Sequence, residues 1–129
     1  MENMQTILLP HMKKLNFKQV EKTRDLFSAL ADETRLKILF LLLNESLNVN
    51  DISVKLGITL PAVSYQLKIL RERDLVRYIK KGREKFFHIA DTHVVHLLND
   101  GLTHAAGVGL CEGELSCELS QFEKNEGEL

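Results

Sequence analysis

The stretch that most constrains this chain is NVNDISVKLGITLPAVSYQLKILRERDLV, residues 48–76. Asn48 or Asn50 can cap a short helix over DISVKL, because an Asn side chain accepts a hydrogen bond from an unpaired amide of a first helical turn. Gly57 then stops that helix, since glycine enters the left-handed backbone region without steric penalty. Thr59 caps a second helix, and Pro61 is tolerated in its first turn, where no intrahelical donor is lost. Two helices joined by a three- or four-residue turn containing glycine form a helix-turn-helix.

The flanking segments extend that unit on both sides. In FKQVEKTRDLFSALA, Phe17, Val20, Phe27 and Leu30 recur at helical intervals, with the helix entered near Asn16. Asp32 caps ETRLKILFLLL, whose end is apolar all round, as a central core helix requires. After Asp74 the period changes. LVRYIKKGREKFFHIA alternates and is rich in strand formers on both sides of KKG, which predicts a hairpin. DTHVVHLLNDGLTHAAG then predicts a last helix, capped by Asp91 or Thr92 and ended by glycines at 107, 109 and 113. Helix, turn, helix, β-wing and closing helix make a winged helix-turn-helix, mainly α with a β-hairpin wing.

A length of 129 residues suits one domain with short arms. The expected organisation is an N-terminal arm over 1–15, the winged domain over 16–106 and an acidic flexible tail over 107–129. The net charge of −1 hides an asymmetry, because residues 112–129 hold six Glu against one Lys, a net of −5, which leaves +4 on residues 1–111. A basic body with an acidic tail suits a body that meets a polyanion. The longest apolar run, LKILFLLL, is too short to span a bilayer, and no secretory signal is visible, so a cytoplasmic protein without a membrane partner is expected. Cys111 and Cys117 are too few for a disulfide framework.

The second helix of the pair carries the expected reading face. Val63, Leu67 and Leu70 share one stripe at i, i+4 and i+7, which turns Tyr65 and Lys68 outward, with Ser64 and Arg71 on one flank and Gln66 on the other. A helix entering the major groove of double-stranded DNA needs short hydrogen-bonding groups near its start and cations that reach phosphate. Thr59, Ser64, Tyr65 and Gln66 supply the first, and Lys68 and Arg71 the second. The hairpin adds Arg77, Lys80, Lys81, Arg83 and Lys85 around a glycine turn, a pattern for lying along a phosphate backbone. The plainer reading, a solvated charged hairpin, loses ground because a capped helix-turn-helix stands immediately upstream. No nucleophile motif, phosphate loop or substrate domain supports an enzyme, such as a metal-dependent hydrolase.

LFSALADETRLKILFLL, VNDISVKLGITLPAVSYQLKILRERDLVRYIKKGREKFFHI and DTHVVHLL resemble the ArsR/SmtB family of bacterial metal-sensing repressors, from about Phe17 to Ala106. ADETRLKIL and AVSYQLKILRERDLV are the most specific parts. The resemblance implies a homodimeric winged-helix repressor that leaves its operator DNA when metal binds, with the helix starting near Asp91 in the dimer interface. It also implies base contacts at Ser64 and Tyr65, whereas Leu60 and Pro61 depart from the polar pair the family places there.

The same resemblance implies a metal site in which Asp91 and His93 come from one protomer and His104 from the other. The geometry of a helix agrees that one chain is insufficient. His93 and His104 lie about 20° from a common face but about 16.5 Å apart along the axis, too far for one ion. An antiparallel second copy brings His93 beside His104, and symmetry makes two such sites. Asp91 alone reads as a helix cap and each histidine alone as a surface group, so the joint spacing carries the expectation. His96 reads as a surface or supporting group. Gly107 stands where the family places a further ligand, which leaves water, Cys111 or Glu112 for the fourth position. Carboxylate and imidazole ligands favour zinc with cobalt as a mimic, and recruitment of a cysteine would move preference towards cadmium or lead. The alternative function is a winged-helix regulator that senses thiol oxidation through Cys111 and Cys117.

Overall fold

The structure is a computed structural model, and it describes residues 16–107. The expected arm over 1–15, the tail beyond Gly107, and with them Cys111, Glu112 and Cys117, lie outside the described residues. Five helices and one hairpin follow in the order α1 (Phe17–Leu30), α2 (Glu33–Leu42), α3 (Val49–Leu56), α4 (Leu60–Glu72), β1 (Val76–Lys81), β2 (Glu84–Ile89) and α5 (Thr92–Ala106).

Each helix starts where a side chain satisfies an orphan amide. Asn16 opens α1 with a reciprocal capping box: its carboxamide oxygen accepts from the Gln19 amide at 2.9 Å, and Gln19 Oε1 accepts from the Asn16 amide at 2.9 Å. Asp32, Asn48, Thr59 and Asp91 cap the next four. Between Asn48 and Asn50, the structure selects Asn48, whose oxygen accepts from the Asp51 amide at 2.7 Å. Gly57 closes α3 at φ +66, and Gly107 closes α5 at φ +72, both left-handed as a glycine stop requires. The hairpin pairs Lys81 with Glu84, so its loop is Gly82–Arg83. Gly82 takes φ +65 while Arg83 stays at negative φ, the glycine-first arrangement that matches strand twist in two-residue loops.

These elements enclose one core. Ile38, Leu39 and Leu42 of α2 meet Ile52 of α3, Val63, Leu67 and Leu70 of α4, and Leu75, Val76 and Phe87 around the hairpin, while Val94 and Leu98 seat α5. A fully buried side chain of this size contributes about 1.5–3 kcal/mol relative to exposure. Leu47 adds an edge that the alternation pattern does not show. Its backbone pairs with Phe87 through bonds of 3.1 and 2.8 Å, which pins the base of the wing to the segment before α3.

The first helix departs from a core role. Ala29 is its one buried residue, whereas Phe17 is 88% exposed and Val20 and Phe27 are more than half exposed. Of the stripe the helical period draws, Leu30 packs against the core, while Phe17, Val20 and Phe27 face away from it. Among the described residues no helix is long and apolar enough to cross a membrane.

Candidate nucleic-acid interface and metal half-site

The α4 stripe is buried as its spacing predicts: Val63, Leu67 and Leu70 lie in the core, and Thr59, Ser64, Tyr65, Lys68 and Arg71 are exposed. Thr59 does double work. Its hydroxyl accepts from the Ala62 amide at 3.3 Å, so the helix start is fixed before any DNA is met. Gln66 stands apart from the other proposed readers. It is half-buried, and its Oε1 accepts from Arg35 Nη1 at 3.0 Å. Arg35 in turn donates through Nε to the Ala29 carbonyl at 2.6 Å, while its own amide donates to Asp32 at 3.0 Å. One guanidinium therefore ties the end of α1 to α4, and Gln66 keeps only its NH₂ group for other partners.

The wing cations divide into two sets. Arg77 holds Asp74 through two hydrogen bonds of 3.1 Å, which leaves it three N–H donors for other partners. Those bonds hold the Asp74 carboxyl below its ordinary value of 3.8, and they raise Arg77. Asp74 sits at φ +55, a left-handed position at the α4 exit that Asp tolerates better than most residues. Lys80, Lys81, Arg83 and Lys85 have no carboxylate partner within ion-pair distance among the described residues. Lys80 and Lys85 are direct cross-strand partners on one face of the hairpin, an unfavourable pairing of like charges. Asn48 Nδ2 donates to Glu84 Oε2 at 3.3 Å and links the start of α3 to the wing.

Tyr78 was not among the expected site residues, yet it organises this surface. The Arg71 guanidinium lies 5.2 Å from its ring centroid and the Lys85 ammonium 4.7 Å, both within cation–π range. The ring leans on buried Phe87 at 5.4 Å. The strand register puts Tyr78 opposite Phe87, so this stack was foreseeable once the loop was assigned to Gly82–Arg83. Its approach to α4 depends on the tertiary fold.

On α5, Asp91 caps the helix by accepting from the Val94 amide at 3.1 Å through Oδ1. His93 Nδ1 lies 3.6 Å from the same oxygen, and the imidazole is 94% exposed. Two ligand atoms on one tetrahedral ion with bonds of 2.0–2.2 Å stand about 3.3–3.5 Å apart, so this pair fits one zinc with little movement. His104 is exposed near the other end of α5, and the structure does not bring it to the pair. Among the described residues no group of three His, Cys, Asp or Glu side chains comes together.

Residues 32–78 match the family described as bacterial regulatory protein, arsR family. A transcriptional repressor SmtB homolog of Synechocystis sp. is 36% identical over 90 residues, which span 70% of this chain and 68% of that protein. The solved structure of reduced HlyU from Vibrio cholerae is similar with a TM-score of 0.61 at 32% identity, covering 75% of this chain and 96% of that one. The homodimeric winged helix-turn-helix DNA-binding domain of a possible ArsR-family regulator from Mycobacterium bovis is similar with a TM-score of 0.66 at 27% identity, covering 68% and 82%. The relatives are regulators and not enzymes. With a capped helix-turn-helix, a basic wing and these relatives, the chain belongs to the ArsR/SmtB family of winged-helix, DNA-binding transcriptional regulators.

Proposed function

We propose that the chain is a metal-responsive repressor in the cytoplasm, which holds operator DNA through α4 and the wing and releases it when zinc or a similar divalent ion binds between two copies of α5. The observation that carries this reading is the Asp91–His93 pair, an oxygen and a nitrogen 3.6 Å apart at an exposed helix start. His104, eleven residues further on, is the complementary ligand from a second copy. The exposed stripe of Phe17, Val20 and Phe27 supports a homodimer, since apolar area of this kind gains by leaving water.

In this reading each residue has a defined task. Ser64 and Tyr65 read base edges, and Lys68, Arg71, Lys80, Lys81, Arg83 and Lys85 contact phosphates, with Thr59 at the helix start. Asp91 and His93 of one protomer and His104 of the other hold the ion, which supplies a fixed link across the interface. Joining these residues favours a dimer in which the two α4 helices no longer match successive major grooves. Coupling free energies in allosteric proteins are typically about 1–3 kcal/mol, or roughly 5- to 150-fold in affinity.

A second reading is supported by one relative, a transcriptional activator named HlyU in Vibrio cholerae, 33% identical over 92 residues. A solved structure of that relative is of the reduced protein, and a thiol signal in this chain would run through Cys111 and Cys117. An anaerobic zinc competition titration on wild type and on His104→Ala separates the two. Tight uptake by wild type that is lost in the variant supports the metal site. Equal uptake by both proteins, or uptake by neither, refutes it.

A further inference from the structure

Between α4 and β2 lies a shallow cleft of about 180 Å³, lined by Val49, Ser64, Leu67, Lys68, Arg71, Lys85 and Phe87. Three of these are cations and none is acidic. Among the described residues none of the three has a carboxylate within ion-pair distance. Tyr78 stands beside the cleft and holds two of them, Arg71 at 5.2 Å and Lys85 at 4.7 Å from its ring centroid. The two charges are therefore no more than about 10 Å apart, about a Debye length at 0.1 M salt. Two like charges held this close raise the energy of the unbound protein, and a single anion between them relieves it.

We propose that this cleft is a clamp for one DNA backbone phosphate, taken jointly by Arg71 of α4 and Lys85 of the wing, with Tyr78 as the residue that positions both. The proposal rests on the DNA-binding reading and refines it: the recognition helix and the wing share a phosphate rather than contacting separate ones. The cleft is smaller than the roughly 300–1,000 Å³ of pockets that hold drug-sized organic ligands, so a tetrahedral anion is the fitting occupant. DNA is the favoured source because the cleft lies on the seam of the two elements that face it. Tyr78 works through its ring. A cation over an aromatic face keeps its hydrogen-bonding protons available, whereas a carboxylate partner such as Asp74 takes two of the five N–H donors of Arg77.

The test is fluorescence anisotropy of a duplex selected by the full-length protein from a randomised library, repeated over a sodium chloride series. Each phosphate neutralised adds about 0.9 to the slope of log affinity against log salt. A shared phosphate predicts that Arg71→Gln and Lys85→Gln each weaken binding with little change in slope, because one cation remains. The double variant then loses about 0.9 per protomer. Two separate phosphates predict a loss of about 1.8 per protomer, and either that value or no loss at all overturns the clamp. Tyr78→Leu should weaken binding about threefold to tenfold through lost pre-organisation with the slope retained, while Tyr78→Phe restores wild-type affinity. A Phe variant as weak as Leu removes the ring from the argument and overturns the positioning role. Replacing chloride with inorganic phosphate at equal ionic strength should weaken wild type more than the double variant, because free phosphate competes for the cleft; equal weakening overturns the clamp. Phosphate uptake by wild type alone, with DNA affinity the same in wild type and the double variant, would assign the cleft to free phosphate instead. A wild type that selects and binds no duplex overturns the DNA-binding reading itself, which distinguishes that failure from failure of the clamp.

Discussion

Asp91 is given two tasks, and one pair of substitutions separates them. Its Oδ1 accepts from the Val94 amide at 3.1 Å, which caps α5, and the same carboxylate stands 3.6 Å from His93 Nδ1. Asn and Asp cap helices about equally, while replacing either with Ala costs about 1 kcal/mol. The loss of a negative charge at the helix start costs roughly a further 0.3–1 kcal/mol at a surface site. Asp91→Asn therefore loses only the charge effect, whereas Asp91→Ala loses both, about 1.5 kcal/mol in total. In a domain of this size, 1 kcal/mol moves Tm by about 4–8 °C, so metal-free Asp91→Ala should melt roughly 6–12 °C below wild type. Asp91→Asn should fall at most about half as far. Zinc affinity should behave differently, dropping at least about tenfold in both, since an amide is a far poorer zinc ligand than a carboxylate. Circular dichroism melts of the metal-free proteins and chelator competition with zinc read the two effects independently. Equal melting of the Asn and Ala variants would refute the cap. Wild-type zinc affinity in Asp91→Asn would refute the ligand.

Three further outcomes follow from the packing and charge. Leu70→Ala, at a site with no solvent exposure, should cost about 2–5 kcal/mol by urea unfolding, and a cost below 1 kcal/mol would contradict the core assignment. Arg35→Lys should destabilise the fold, because an ammonium lacks the fork that reaches both the Ala29 carbonyl and Gln66 Oε1; an unchanged melting temperature would show that the link is idle. The Asp74 carboxyl is depressed below 3.8 by its hydrogen bonds to Arg77, so its ion pair is present in full above that pH and is lost as pH falls through the lower folded value. Carboxyl NMR titration should show the midpoint of Asp74 rising in Arg77→Gln, and an unmoved midpoint would contradict the pairing.

Much of the fold was legible because its signals are local. A cap side chain, a glycine in the left-handed region and a change of period from helix to strand act within a few residues, and Asp32, Thr59, Gly57 and Gly82 stand where those rules place them. The α4 stripe was equally legible, since Val63, Leu67 and Leu70 answer one period. What escaped depends on contacts between distant segments. Periodicity in α1 shows a stripe but not what covers it, and Phe17, Val20 and Phe27 turn out to face solvent in the single chain. Gln66 lies on a flank of α4 that composition alone marks as polar, yet Arg35, 31 positions earlier, occupies its oxygen. Tyr78 reads as an ordinary strand aromatic until Arg71 is seen above its ring. Arg77 counts as a wing cation until Asp74 is seen to hold it. The proposed metal ligands are a different case: one chain brings Asp91 and His93 together but not His104, which the proposal pairs with a second copy.

The most direct test of the account is a zinc titration of the preformed protein–DNA complex, followed by anisotropy, with wild type and His104→Ala side by side. The account predicts that the wild-type complex dissociates as zinc approaches about one ion per protomer, the stoichiometry of two symmetric sites in a dimer, while the His104→Ala complex persists. A wild-type complex that survives saturating zinc, or a variant that releases DNA at the same zinc concentration as wild type, would contradict it.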